Sequence, residues 1–210
     1  MTSLNDDSSS VLGSASVPSL SADDGPSSVL GSASVPSLRA DESPACDVAH
    51  GAAPELTPGR VLVAVFASPV AELLLYYARD AGYRPVLVEP DADRAKVALD
   101  VVAAVEDRVR SHPDGPADVV VTDHHRPELG LVLRDALASD ARWVGVMGNP
   151  RHPAPHIPAL AELGVAPEEI AQVHRPIGLN IGSRTPAEIA ISTIAGLIAE
   201  RNGRPGGFEF

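Results

Sequence analysis

The segment from Arg60 to Glu89 constrains the fold more than any other stretch of the chain. Residues 60–66 read Arg-Val-Leu-Val-Ala-Val-Phe. A short, continuous apolar run of this kind suits a strand buried on both faces. Ser68 then offers a hydroxyl to cap a helix, and Pro69 suits the first helical position, where a missing N–H is not needed. That helix is expected over 69–81, ending near Gly82. A second apolar run follows over 85–89. Strand, helix and strand in this order make a parallel βαβ unit with a right-handed crossover.

The alternation continues downstream. Ala95, Ala98, Leu99, Val102 and Val105 stand at helical spacing, so a long helix is expected over 91–111. Residues 118–122 and 142–147 read as the third and fourth strands, with a helix over 127–139 between them. Short helices are expected over 156–163 and 167–172. Thr185-Pro186-Ala187-Glu188 is a capping box with proline at the first helical position, opening a last helix that reaches Asn202. Alternating strands and helices specify an α/β fold, a doubly wound parallel sheet. Aromatic residues are only 3% of the chain, so Val, Leu, Ile and Ala must build its core.

Residues 1–58 read differently, as a disordered acidic tail preceding a domain over 59–210. Ser9–Leu20 reads Ser-Ser-Val-Leu-Gly-Ser-Ala-Ser-Val-Pro-Ser-Leu, and 27–38 repeats those twelve residues. Two copies are too few for a solenoid. Ser, Gly, Pro and Asp dominate, which leaves too little apolar surface to offset ordering entropy. The pair reads as a tandem duplication in a linker, or else as a doubled docking motif. The tail holds Asp6, Asp7, Asp23, Asp24, Asp41, Glu42, Asp47 and Glu55 against Arg39 alone, a share of −7 in a total of −12. An acidic chain lacks the basic stripe that a nucleic-acid partner needs. The single cysteine, Cys46, admits no intramolecular disulfide, as expected of a reducing cytoplasm. No signal peptide and no membrane span is expected; the apolar run from Val61 is broken by Ser68, Pro69 and Glu72.

In an open parallel sheet, ligands bind beyond the carboxyl ends of the strands. A G-x-G-x-x-G/A fingerprint would there fall on Phe66, Ser68 and Ala71, of which only the last fits. The missing glycines normally let backbone N–H groups approach a pyrophosphate, so NAD(P) is not expected. Glu89 stands where an acidic residue would bind ribose hydroxyls, or is simply solvated at a strand end. Two further loops carry polar side chains: Thr122, Asp123, His124, His125 and Arg126, then Gly148, Asn149, Pro150, Arg151 and His152. Their histidines lack a paired helical spacing, and no metal site is expected. The loop from His174 to Thr185, with Gly178 and Gly182, leads into the capped helix beside Arg184. It reads equally as an anion site at a helix start or as a clasp holding that helix.

His174-x-Pro176-Ile177-Gly178-Leu179-x-Ile181-Gly182, followed by Thr185-Pro186-x-Glu188-Ile189-Ala190, resembles the C-terminal signature of the xanthine dehydrogenase accessory protein (XdhC/CoxI) family. Residues 119–122, Leu133 to Leu137 and 143–148 add to the likeness, which covers roughly 60–201. The resemblance implies a Rossmann-like domain and a non-catalytic role in maturing molybdenum enzymes of the xanthine dehydrogenase or carbon monoxide dehydrogenase type. It implies that molybdenum cofactor (molybdopterin) is bound, protected and inserted. The implied partners are a molybdenum hydroxylase apoenzyme and a cysteine desulfurase, and a homodimer is allowed. The implied cofactor-binding residues are Ser68, Glu89, Thr122, Asp123, His124, Gly148, Arg151, His174, Gly178, Gly182, Arg184 and Thr185. The chain departs from the family at Phe66 and Ser68. It also has Thr122-Asp123-His124 for Thr-His-Asp, and Gly148-Asn149-Pro150-Arg151 for Gly-Ser-Arg. The family's cysteine-bearing N-terminal domain has no counterpart in residues 1–58, and Cys46 does not inherit its role. Two other functions fit the same residues: a nucleotide-dependent oxidoreductase, or an interaction module that takes no small ligand.

The tail composition makes residues 1–58 dispensable for folding. A chain starting near Pro58 is expected to melt within a few degrees of the full-length protein in a thermal scan. A large loss of Tm would show that the tail packs on the body.

Overall fold

The structure, a computed structural model, describes residues 60–96 and 102–207. The tail therefore lies outside the described residues. Five strands form one parallel sheet: β1 (Val61–Val65), β2 (Arg84–Val88), β3 (Ala104–Glu106), β4 (Ala117–Val121) and β5 (Trp143–Val146). Their order is β3-β2-β1-β4-β5. The first strand lies in the middle, with Val63 paired to Val86 on one side and Val119 on the other. Every residue of β1 is buried, as the unbroken apolar run requires.

Among the described residues, six helices flank the sheet: α1 (Pro69–Asp80), α2 (Ala92–Ala95), α3 (Leu129–Ala138), α4 (His156–Glu162), α5 (Pro167–Ile170) and α6 (Pro186–Arg201). Alternate residues of each strand feed two apolar layers. Leu62, Ala64 and Val120 meet Leu74 and Leu75 of α1 and Ala190, Ile194 and Leu197 of α6. Val63, Val65, Val119 and Val121 meet Leu129 and Leu133 of α3, Leu160 of α4 and Ile170 of α5. Helices thus cover both faces, and the sheet is doubly wound. None of the described helices is long and apolar enough to cross a membrane.

One element differs from expectation. Among the described residues of the helix read over 91–111, the helical part is α2, which Asp91 caps by accepting from the N–H groups of Asp93 and Arg94. By Ala103 the chain has become extended and forms β3; Ala98 and Leu99 lie outside the described residues. The cause is tertiary. Without β3, the outer edge of β2 would lack partners; Ala103 N–H donates to Pro85 O (2.8 Å) and Glu89 N–H to Glu106 O (2.9 Å). Val102 and Val105 are β-branched and favour the pleated surface over the helix.

The loop before α6 is seated by glycine. Gly178 has φ +81°, and a Cβ there would lie 2.9 Å from Ser192 Oγ and 3.0 Å from Ser192 C. Gly196 of α6 returns the fit, since its own Cβ would lie 3.0 Å from Gly178 Cα. Leu179 N–H donates to Ser192 O (3.0 Å) across the contact. Gly178→Ala combines a left-handed backbone penalty with overpacking, about 2–5 kcal/mol together. Urea denaturation should show the midpoint falling at unchanged m; an unmoved midpoint would mean the loop is not seated on α6.

Candidate functional site

The turn after β1 keeps the backbone of a glycine fingerprint without the glycine. Phe66 sits at φ +74° and donates its N–H to Val88 O (2.8 Å). A bulky side chain in the left-handed region costs roughly 1–2 kcal/mol. The ring offsets this by complete burial, with the Arg126 guanidinium stacked 4.6 Å from its centroid. Ser68 caps α1 by accepting from Ala71 N–H (3.1 Å). Thr122 Oγ1 lies 3.0 Å from Val65 O and 2.9 Å from Phe66 O, so its one proton goes to these carbonyls. The Ser68 hydroxyl is then left to donate to Thr122 Oγ1 (3.1 Å), tying the ends of β1 and β4.

Glu89 is neither solvated nor turned to a ligand. It is 2% exposed, and both carboxylate oxygens are engaged within the chain. Oε2 accepts from Ala67 N–H (2.9 Å), and Oε1 from Asp91 N–H (3.0 Å) and from Arg126 Nη2 (3.1 Å). The expectation of a solvated strand-end carboxylate is therefore corrected: Arg126, from the loop after β4, reaches across and buries it. Arg126 also meets Glu128 at 3.3 Å.

The open part of the crevice lies on the other side, beyond the ends of β4 and β5. It is a cleft of about 770 Å³ between the loop 147–151, the loop 176–184 and α6. Of the residues read from the sequence, Thr122, His124, Gly148, Arg151, Gly178, Gly182 and Arg184 line it. Its lining includes no carboxylate, and among the described residues neither Arg151 nor Arg184 forms an ion pair. Val70, Met147, Ile177 and Ile189 supply an apolar wall. His124 is held below the ordinary histidine range, first by burial and then by His125, whose ring lies 4.1 Å away. At neutral pH it therefore presents an uncharged imidazole to the cleft.

Two residues that organise this cleft were not among the implied cofactor-binding residues. Asn149 Oδ1 accepts from Arg151 N–H (2.9 Å), folding the loop so that Arg151 faces the cleft. Arg175 supports the loop from behind, donating from Nη2 to Asn149 O (2.8 Å). A Cβ on Gly148 would meet Arg175 Nε at 2.5 Å, which explains the glycine. The turn residues Gly148-Asn149-Pro150 were the available signal for Asn149; Arg175 had none.

Other candidates stand apart from the cleft. Asp123 accepts from His125 N–H (2.9 Å) in a local turn. His174 stacks on Trp143 (5.0 Å between centroids, 13° between planes), and its backbone pairs with β5 through Val144 O and Val146 N–H. Thr185 caps α6 through Glu188 N–H (3.3 Å). The start of α6 is already filled: Glu188 Oε2 accepts from Arg184 N–H (2.6 Å) and Thr185 N–H (3.0 Å). These donors hold the Glu188 carboxyl below the usual carboxylate range. The N–H groups of Arg184 and Thr185 are therefore taken within the chain rather than offered to an anion. The Arg184 side chain remains available to the cleft, and the loop serves as a clasp. No group of three or more His, Cys, Asp or Glu suited to a metal occurs among the described residues.

Residues 62–197 match the model of the XdhC Rossmann domain. The chain belongs to that family. A curated relative, the uncharacterized protein YqeB of Escherichia coli strain K12, is 36% identical over 105 residues. That match covers 50% of this chain and 18% of YqeB, so the chain spans about a fifth of that relative's length. The fold also matches the crystal structure of a xanthine dehydrogenase from Bacillus halodurans. The TM-score is 0.54 at 22% identity, over 69% of this chain and 44% of that one. The XdhC domain described here has the strand order β3-β2-β1-β4-β5, with Phe66 in a backbone geometry that favours glycine.

Removing the Glu89 carboxylate would leave Arg126 buried against Phe66 with only the half-buried Glu128 beside it. Glu89→Ala is expected to destabilise the domain by about 3–5 kcal/mol, the usual result of orphaning one member of a buried pair. Equilibrium denaturation measures it, and a loss under about 1 kcal/mol would place the pair in solvent.

Proposed function

We propose that this XdhC domain is a non-catalytic accessory component in the maturation of molybdenum enzymes of the xanthine dehydrogenase or carbon monoxide dehydrogenase type. In this reading it holds the anionic pterin cofactor in the β4–β5 cleft and passes it to the apoenzyme. One observation carries the proposal: a chain of net charge −12 has a cleft lined by two arginines and no carboxylate. Selecting against acidic groups at one concave site in an acidic protein favours an anionic ligand.

The residues present fit such a group. Arg151 and Arg184 are cations suited to a phosphate, and the apolar wall suits a planar heterocycle. The cofactor itself supplies the oxygen-transfer chemistry once it is seated in its enzyme. His124, uncharged at neutral pH, can donate or accept a hydrogen bond without adding charge. A molybdenum hydroxylase apoenzyme is the recipient this role requires, and a cysteine desulfurase is the partner for sulfuration.

Arg184→Ala should weaken molybdopterin binding by about 1.5–3 kcal/mol, the scale of a hydrogen bond to a charged group. The melting temperature should barely change, because an exposed arginine adds little stability. Fluorescence titration with cofactor released from a purified molybdoenzyme measures the first, and a thermal scan the second. Loss of stability with unchanged cofactor affinity would overturn the reading and leave the loop as a clasp alone.

A further inference from the structure

The crevice at the carboxyl edge of the sheet has two sides, and the chain treats them in opposite ways. The β4–β5 side is open and lined with cations. On the β1–β2 side, a dinucleotide would place its pyrophosphate on the first turn and its ribose against the acidic residue ending β2. Here the Ala67 N–H of that turn is taken by Glu89 (2.9 Å), the residue that would meet the ribose. Arg126 closes over both, 3.1 Å from Glu89 Oε1 and stacked on the Phe66 ring. It is 9% exposed, and Phe66 is fully buried. The turn N–H has therefore found its anion within the chain, and the acid has found its cation. The strained φ of Phe66 accompanies this arrangement, with the ring lying under Arg126.

We propose that Phe66, Glu89 and Arg126 form a built-in plug that occupies the pyrophosphate turn on the β1–β2 side of the crevice and excludes a dinucleotide from it. The plug is a property of the chain whatever ligand the open side takes. It explains how a fold suited to dinucleotides is turned to a different anion without losing its turn geometry.

The test is calorimetric titration of the full chain with ADP-ribose and NAD. The wild-type protein should show no binding below about 1 mM. Phe66→Gly combined with Arg126→Gln removes the ring and the guanidinium that close over the turn and keeps an amide to donate to Glu89. This double variant should gain at least about tenfold in ADP-ribose affinity, a change of roughly 1.4 kcal/mol. Micromolar binding by wild type, or a folded double variant that binds no better than wild type, would overturn the plug. If the double variant does not fold, amide exchange in the wild type decides. Protection at Ala67 should be unchanged by millimolar ADP-ribose, and altered exchange there would overturn the plug. Titration of the folded double variant with molybdopterin should stay within about twofold of wild type; a larger loss would put that ligand on the plugged side. If wild type binds no molybdopterin at all, the cofactor reading fails while the ADP-ribose results still decide the plug.

Discussion

The hydrogen bonds that terminate β1 set the position of everything functional in this domain. Phe66 N–H donates to Val88 O (2.8 Å), and Thr122 N–H donates to Val65 O (3.0 Å). The first bond ends β2 beside the turn and so delivers Glu89 to it. The second ends β4 at the same level and so delivers Thr122, His124 and Arg126. Met147 N–H continues the series by donating to Val121 O (2.9 Å), which starts the loop carrying Arg151. All strands are parallel, so all of these loops emerge on one edge. A shift of register in β1 would separate them together.

Electrostatics divides that edge. On one side, the opposite charges of Glu89 and Arg126 are buried against each other and take up the turn N–H of Ala67. On the other, Arg151 and Arg184 face a cleft without carboxylates. Glu188 could have neutralised this region, but its carboxylate is drawn to the backbone at the start of α6. The capping box thus takes up backbone donors at the start of the helix and leaves a side-chain cation, Arg184, facing the cleft with Arg151. A backbone anion site and a guanidinium site differ in consequence. The first survives any side-chain change, whereas the second depends on a single residue.

Much of this was legible in the residues. The apolar run 61–65 with Ser68 and Pro69 specified a buried strand followed by a capped helix, and both formed. Thr185-Pro186-x-Glu188 specified the start of the last helix, and its capping box is complete. Strand β3 was not legible. Three residues at helical spacing with their neighbours carry too little pattern, and the need that made them a strand lies on the edge of β2.

The amino-acid sequence by itself determined the order of elements, the buried centre of the sheet and the caps, because each follows from neighbours a few residues apart. It also determined that the first turn lacks its glycines. Only the tertiary structure decided what replaced them. Arg126 is 37 residues from Glu89, and no local pattern announces that one will bury the other. The same holds for the cleft, whose arginines come from loops 33 residues apart and meet because parallel strands send their carboxyl ends to one edge. Short-range order is written in adjacent residues. Charge pairing and concavity depend on distances that exist only once the sheet has closed its register.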